Sequence, residues 1–487
     1  MEIIGQESHD KVGFLARMWW WIMGLLNKFK GKLIGVTSKT KKLGKDDPRR
    51  IIHSVKMGLA LSLISLVYYF RPIYDSFGVS TMWAVLTVVV VFEFTVGATL
   101  GKGFNRGMAT FLAGALGVGA HHLASLAGEQ GEPIVIGFFV FLLASAASFS
   151  RFYPEIKARY DYGVLIFILT FSLVSVSGYR VEKIVQLAHQ RLSTIILGSL
   201  TCVFISIFVC PVWAGEELHN QIAVNLEKIA DFLEGFGGEY FQTELSNGES
   251  ALDTKDEKLF LERYKSVLNS KTAEENLANF AQWEPCHGHF RYQHPWKQYL
   301  KTGGLIRQCA YRVEALNSYI KSEIQAPPEF KKKIQDACIK MSSESAKALS
   351  ELASAIRTMT QPCTANVHIA NSRIAANSLK TTLKTALPMD TDLLQIISAV
   401  TVTALLVEIV SCAENIAESV HELARLAKFK HPKEQIVVIE NPRIVHLVTI
   451  KPLSDMNCPQ VVIKIDESSP TLVENTILSK PLEKSVH

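Results

Sequence analysis

The stretch VVVVFEFTVGATLGKGFNRG, residues 88–107, poses the problem on which the fold turns. Its apolar run is suited to a greasy environment, yet Glu93 sits inside it and Lys102 and Arg106 trail it. An ionisable group at mid-membrane costs roughly 2.5–3.5 kcal/mol on insertion scales, less near the ends, so charge kept here needs a reason.

The surroundings of this stretch decide what it is. Across 487 residues the chain is 48% hydrophobic and 20% charged, with a mean hydropathy of +0.17. That average hides a division: from Ile51 to Trp213 long apolar runs dominate, whereas from Ala214 onward Lys, Glu, Asp, Asn and Gln are dense. A membrane half joined to a soluble half accounts for the split better than one globular fold. The net charge of +5 suits anionic lipid headgroups, and no nucleic-acid-binding motif accompanies it. All eight cysteines fall in the last apolar span or after it, none in a CxxC pair, which reads as a reduced cytosolic inventory.

Six apolar segments approach the ~20 residues a helix needs to cross ~30 Å of hydrocarbon. They are Ile51–Phe70, Met82–Leu100, Gly107–Leu126, Pro133–Ser150, Gly163–Ser177 and Leu192–Trp213, the fifth being the shortest. Regular helix is required because lipid cannot satisfy free backbone N–H and C=O groups. Asp47 and Pro48 mark the start of the first, as cap and first-turn residue. Small residues at Gly107, Gly114, Gly117 and Gly119 predict close helix approach in the third.

Basic residues set the orientation. Lys41, Lys42, Lys45, Arg49 and Arg50 precede the first span, Lys102 and Arg106 separate the second from the third, and Arg151, Lys157 and Arg159 separate the fourth from the fifth. The positive-inside rule makes that shared side cytosolic. Six crossings then return the C-terminal half to the cytosol, so both termini are expected inside. The last outer segment breaks the rule, with Arg180, Lys183 and Arg191 against Glu182 alone. Cations kept where topology disfavours them fit an anion pathway, because Arg and Lys around a wet pore replace lost anion hydration. Arg adds a planar fork matched to carboxylates, so a dicarboxylate suits the set. The expected pathway residues are Arg180, Arg191, Lys102, Arg106 and Lys56; headgroup anchoring is the plainer role for each. Glu93 would repel anions and is expected to brace the helices by pairing with a cation on another helix.

Five strings carry a resemblance: DDPRRIIHSVKMGLAL, MWAVLTVVVVFEFTVGATLGKGFNRG, DYGVLIFILTF, CPVWAGEELH and WEPCHGHFRYQHPWKQY. Over roughly residues 46–430 the chain resembles the plant aluminium-activated malate transporter family. The resemblance implies a homodimeric anion channel passing malate and other small anions, with six membrane helices per subunit and a cytosolic helical domain. It also associates basic residues beside the later helices with the anion pathway, which supports Arg180 and Arg191. Aluminium, a hard cation, would favour clustered carboxylates; the predicted outer face offers Asp75 and Glu182, while Gln186 one turn on is neutral. Aluminium activation therefore stays open, and the plasma membrane is expected in preference to the vacuolar membrane.

The overall expectation is an all-α chain. Residues 1–45 form a cytosolic tail whose Phe14–Leu26 could lie in the membrane interface, and residues 46–213 form the membrane domain. Residues 214–430 form a helical bundle, and residues 431–487 a flexible tail. In the bundle, helices are predicted from about Leu218 to the Gly237-Gly238 pair and over Lys255–Phe280, Trp296–Ser322, Pro328–Met359, Asn366–Ala386 and Thr391–Lys428. Leu393–Val410 could pass for a seventh span, but Gln395, Glu408 and the amphipathic continuation favour a buried bundle helix. Cys286, His287, His289 and His294 invite a zinc site, yet their spacing matches no closed one and reads as a loop anchored by Trp283 and Trp296. No enzyme and no cofactor are expected. A proton-coupled organic-acid exporter and a membrane-anchored scaffold are the competing functions.

Overall fold

In a computed structural model the described residues are 47–69, 82–178, 184–242, 262–291, 293–320, 327–386 and 393–431, with parts of 21–45. The chain separates into Met1–His431 and Pro432–His487, and the second unit lies outside the described residues, as does nearly all of Phe14–Leu26. The protein is all-α: among the described residues the β-bridges are isolated ones, His287 with Phe290 and Thr360 with Lys430.

The first half holds α1 (Arg49–Tyr69), α2 (Met82–Val91), α3 (Val96–Ser125), α4 (Gly128–Ser150), α5 (Pro154–Arg159), α6 (Asp161–Gly178) and α7 (Ile184–Phe208). One expectation is corrected here. Met82–Leu100 is not one helix; α2 stops at Val91 and residues 92–95 turn the chain. Thr95 then caps α3, its hydroxyl accepting from Ala98 N at 3.3 Å. Capping satisfies an N–H that the first helical turn would otherwise leave unpaired, so the break is built into the sequence at Thr95. Lys102 and Arg106 consequently lie inside a 30-residue helix rather than in a loop between helices.

α3 is central, packing on α4, α6 and α7, while α7 also meets α1 and α2. Small residues permit this: a Cβ on Gly117 would come within 2.8 Å of Val174 Cγ1 on α6. Apolar packing is confined to two patches. One joins Ala60 and Ile64 to Ala84, Val88, Val91, Cys202 and Ile205; the other joins Ala113 and Ala120 to Phe171. Meanwhile Ile134, Phe138 and Phe141 on α4 and Phe204 and Phe208 on α7 face outward. Such continuous outward apolar surface is unsuited to water.

The second half holds α8 (Ala214–Gln242), α9 (Lys265–Leu268), α10 (Lys271–Ala281), α11 (Trp296–Ile320), α12 (Pro328–Thr358), α13 (Ala365–Ala386) and α14 (Leu393–Ala427). α8 runs through Gly237-Gly238 instead of ending there, because Phe236 and Tyr240 on either side are held in the core. Its polarity is conventional, with a single core that runs from Leu218 on α8 to Leu423 on α14. Gln130–Ser150, Ala188–Phe208 and Ile396–Ala427 are each long and apolar enough to cross a membrane. They differ in surroundings, since 6% of the first apolar window is buried but 50% of the last. Ile396, Val402, Leu406 and Ile409 of that last helix are buried in the core of the second half.

Candidate functional site

The charges anticipated from sequence fall into two groups. Arg180, Asp75 and Glu182 lie outside the described residues, as does the side chain of Gln186. The others are placed by α1, α2, α3 and α7.

Lys102 and Glu93 form an ion pair, which joins the α2–α3 turn to the second turn of α3. Glu93 N donates to Thr99 Oγ1 at 3.1 Å, fixing the turn that carries the carboxylate. Lys56 is buried on α1, and its ammonium donates to the Cys210 carbonyl at 2.7 Å. Cys210 holds φ at +43°, a left-handed conformation that costs a residue with a Cβ. Pro211 follows it, so the chain between α7 and α8 turns sharply and Lys56 clasps the turn. Lys56 and Lys102 therefore spend their charges on protein partners.

Arg106 and Arg191 do not. Arg106 is 4% exposed; one guanidinium nitrogen donates to Tyr162 Oη at 2.9 Å, and its Nε is buried without a partner. Arg191 stacks its guanidinium over the Trp83 ring, 4.1 Å from the centroid. Neither meets a carboxylate among the described residues. Along α3, Asn105 donates to the Arg159 carbonyl at 2.9 Å and the Thr110 hydroxyl is buried without a partner; the same holds for Ser175 on α6 and Ser199 on α7. A buried cation without a counterion is unfavourable, so a bound anion would offset part of the cost of keeping Arg106 there.

A second feature went unread in the sequence. Glu284, between Trp283 and Pro285, projects from the loop between α10 and α11, and its side chain is 1% exposed. It accepts from Ala214 N at 2.6 Å, Gly215 N at 3.0 Å and Gly97 N at 3.2 Å. One carboxylate thus caps the N-termini of α8 and α3, where free N–H groups and the helix dipoles favour negative charge. Burial pushes the Glu284 carboxyl up and the three N–H donors pull it down. Gly97 tolerates no Cβ, since one would collide with the Phe280 carbonyl. Trp283 packs on Phe104 and Tyr160, with centroids 5.5 and 6.4 Å away, and Arg159 reaches Gln282. The signal available was a lone acid directly before Pro285 in an aromatic loop.

The histidines of that loop are engaged individually. His287 stacks on Trp213, with centroids 3.8 Å apart, and His294 Nε2 meets Tyr299 Oη at 3.3 Å. His219 Nδ1 meets the same hydroxyl at 2.9 Å. Burial lowers both His219 and His294 to about 4, so both rings are neutral near pH 7. Among the described residues no three His, Cys, Asp or Glu side chains converge as a metal site would need.

Comparison with known proteins follows the same boundaries. The family described as "Aluminium activated malate transporter" matches residues 41–390. Aluminum-activated malate transporter 2 of Arabidopsis thaliana is 54% identical over 403 residues, covering 83% of this chain and 80% of that protein. Aluminum-activated malate transporter 7 of the same plant is 48% identical over 446 residues, covering 86% and 88%. Aluminum-activated malate transporter 1 of Triticum aestivum is 46% identical over 470 residues, covering 94% and 99%.

Proposed function

This chain belongs to the aluminium-activated malate transporter family, a family of plant membrane transporters and not of enzymes, and on that premise we propose that it is a channel passing malate and related anions. The observation that carries the proposal is Arg106 and Arg191, two cations on the packed helices α3 and α7 that meet no carboxylate among the described residues. A dicarboxylate entering between them would replace water with charge-assisted donors, and the Arg forks would match its oxygens. Tyr162 and Trp83 are positioning residues, the first orienting one fork and the second holding the other face-on.

In this reading the first half crosses the membrane six times, α1, α3, α4, α6 and α7 each supplying a crossing and the ten-residue α2 part of another. The outward apolar faces of α4 and α7 support it, as does the preponderance of cations in the cytosolic connections. α14 stays outside the membrane, supported by the burial of its apolar face in the core of the second half. That half, with both termini, lies in the cytosol of a plasma-membrane homodimer. Glu93 neutralises Lys102 near the inner mouth, and Lys56 secures the passage from α7 to the cytosolic helices.

Whole-cell recording with malate as the only internal anion tests the proposal. Outward malate flux that collapses on replacing Arg106 and Arg191 together by Ala supports it. Flux that requires a proton gradient and vanishes with Glu93→Gln would instead indicate an exporter.

A further inference from the structure

A larger set of cations precedes α1. From Lys11 to Lys45 the chain carries nine Lys and Arg residues and no Asp or Glu. Residues 35–45 are helical, and all of them except Gly44 are exposed. Val36 and Leu43, two turns apart on one face, leave apolar surface uncovered. Lys39, Lys41, Lys42 and Lys45 meet no carboxylate among the described residues, whereas Asp47 is already held by Arg49 and Arg50 at 3.0 and 3.6 Å. This helical stretch approaches α1 closely at Gly44, where a Cβ would come within 2.8 Å of Ile51 Cδ1. Beside that contact lies an open groove of about 550 Å³, lined by Val36, Thr37, Thr40, Lys41, Lys45 and Ile51. Lys41 and Lys45 stand one helical turn apart, so both ammonium groups serve the same groove. Thr40 spends its hydroxyl proton on the Val36 carbonyl at 2.9 Å, which leaves the two lysines as the charged donors. Ile51 also begins an outward stripe on α1, since Ile51, Val55, Leu59, Leu63 and Leu66 share one face and are all exposed.

We propose that this groove seats the headgroup of an anionic phospholipid of the inner leaflet, with its phosphate between Lys41 and Lys45 and its acyl chains along the Ile51–Leu66 stripe. The inference rests on the reading that α1 crosses the membrane from the cytosolic side. Two features select a lipid. A run of lysines directly before a membrane helix is attracted to the negative surface of that leaflet, each cation contributing to binding within a Debye length. The groove then opens onto a stripe whose exposed apolar side chains match hydrocarbon, so one amphiphile satisfies both parts of the surface. A free phosphate or an acidic protein would engage the same lysines and leave the stripe uncovered. Gly44 is what lets the cationic helix lie against α1, so the headgroup and chain subsites stay continuous.

The test places the full-length chain in phosphatidylcholine nanodiscs with a trace of phosphatidic acid bearing a diazirine on its acyl chain. Adducts are mapped by peptide mass spectrometry after illumination. Adducts within residues 36–66 are expected several-fold above those from the matching phosphatidylcholine probe, and excess inorganic phosphate should not displace them. Lys41→Gln and Lys45→Gln should each lower them about fivefold. A Lys28→Gln, Lys30→Gln double variant, which removes charge from the same run outside the groove, should leave them unchanged. Equal loss in the two sets of variants would show diffuse attraction and overturn the proposal, as would equal labelling by the two probes or displacement by phosphate. The phosphatidylcholine probe also reports on the outward faces of α4 and α7; failure to label those would overturn the membrane reading itself, and this inference with it.

Discussion

Arg191 and Lys56 show how differently two cations in the same half are used. Arg191 lies over an aromatic ring and meets no carboxylate among the described residues, so its charge remains available to an anion. Lys56 is committed to a backbone carbonyl. Charge-assisted hydrogen bonds contribute about 1.5–3 kcal/mol, so Arg191→Ala should weaken half-saturating malate concentration about tenfold or more and lower the malate-to-chloride permeability ratio. Arg191→Lys should recover part of the current, because charge returns without the fork. Lys56→Met should act the other way round. It removes the charge-assisted bond to the Cys210 carbonyl, at about 1.5–3 kcal/mol, so melting temperature falls while the permeability ratio holds. A changed ratio in Lys56→Met would place Lys56 in the path after all. A third residue-scale effect concerns pH. His219 and His294 are held neutral down to about 4, whereas unfolded histidine titrates near 6.5. Between those values the unfolded chain binds more protons, so stability rises with pH and is lost as pH falls from about 6.5 toward 4. Melting temperature followed across that window should decline on acidification, and a His219→Gln, His294→Gln double variant should flatten the curve. Equal slopes in both proteins would contradict the assignment.

Among the elements, Thr95 and Glu284 decide where helices begin. Several helix limits were legible from apolar periodicity and breakers: Trp296 opens α11, Pro328 opens α12, and α14 ends one residue short of the expected Lys428. The break after Val91 was not, because Phe92 and Phe94 continue the apolar pattern and the cap that ends it is a single hydroxyl. The Gly237-Gly238 pair misled in the opposite sense, tertiary burial of Phe236 and Tyr240 outweighing the low helix propensity of glycine. As for the candidate site, sequence supplied the cationic inventory but not its partners. The bonds from Lys56 to Cys210 and from Glu284 to Gly97 span 154 and 187 residues, beyond the reach of local pattern. Glu284→Gln should reveal the value of that carboxylate. The amide would turn one N–H toward a backbone N–H, removing about 2 kcal/mol and raising hydrogen exchange at Gly97, Ala214 and Gly215 together. Exchange rising at α8 alone would show that the cap on α3 does not depend on it.

For the whole molecule, two opposite polarities are joined within one compact unit. The first half presents large apolar side chains outward along α4 and α7; the second gathers its apolar side chains into one core. The tie at Glu284 and the Arg49–Glu217 ion pair at 2.6 Å fasten the two, so a shift of the α10–α11 loop would be felt at the start of α3, two turns from Arg106. Cys286, exposed in that loop, gives the topology a handle. A membrane-impermeant maleimide should modify it only from the cytosolic side; labelling from outside would invert the arrangement.

The central claim is that the unpaired guanidinium groups of Arg106 and Arg191 carry malate through the protein. Its most direct test is the reversal potential under a malate gradient in planar bilayers containing purified wild-type protein or the Arg106→Ala, Arg191→Ala double variant. The account predicts a wild-type reversal potential near the malate equilibrium value and a shift toward zero selectivity in the variant. Identical malate selectivity in a correctly inserted double variant would contradict it.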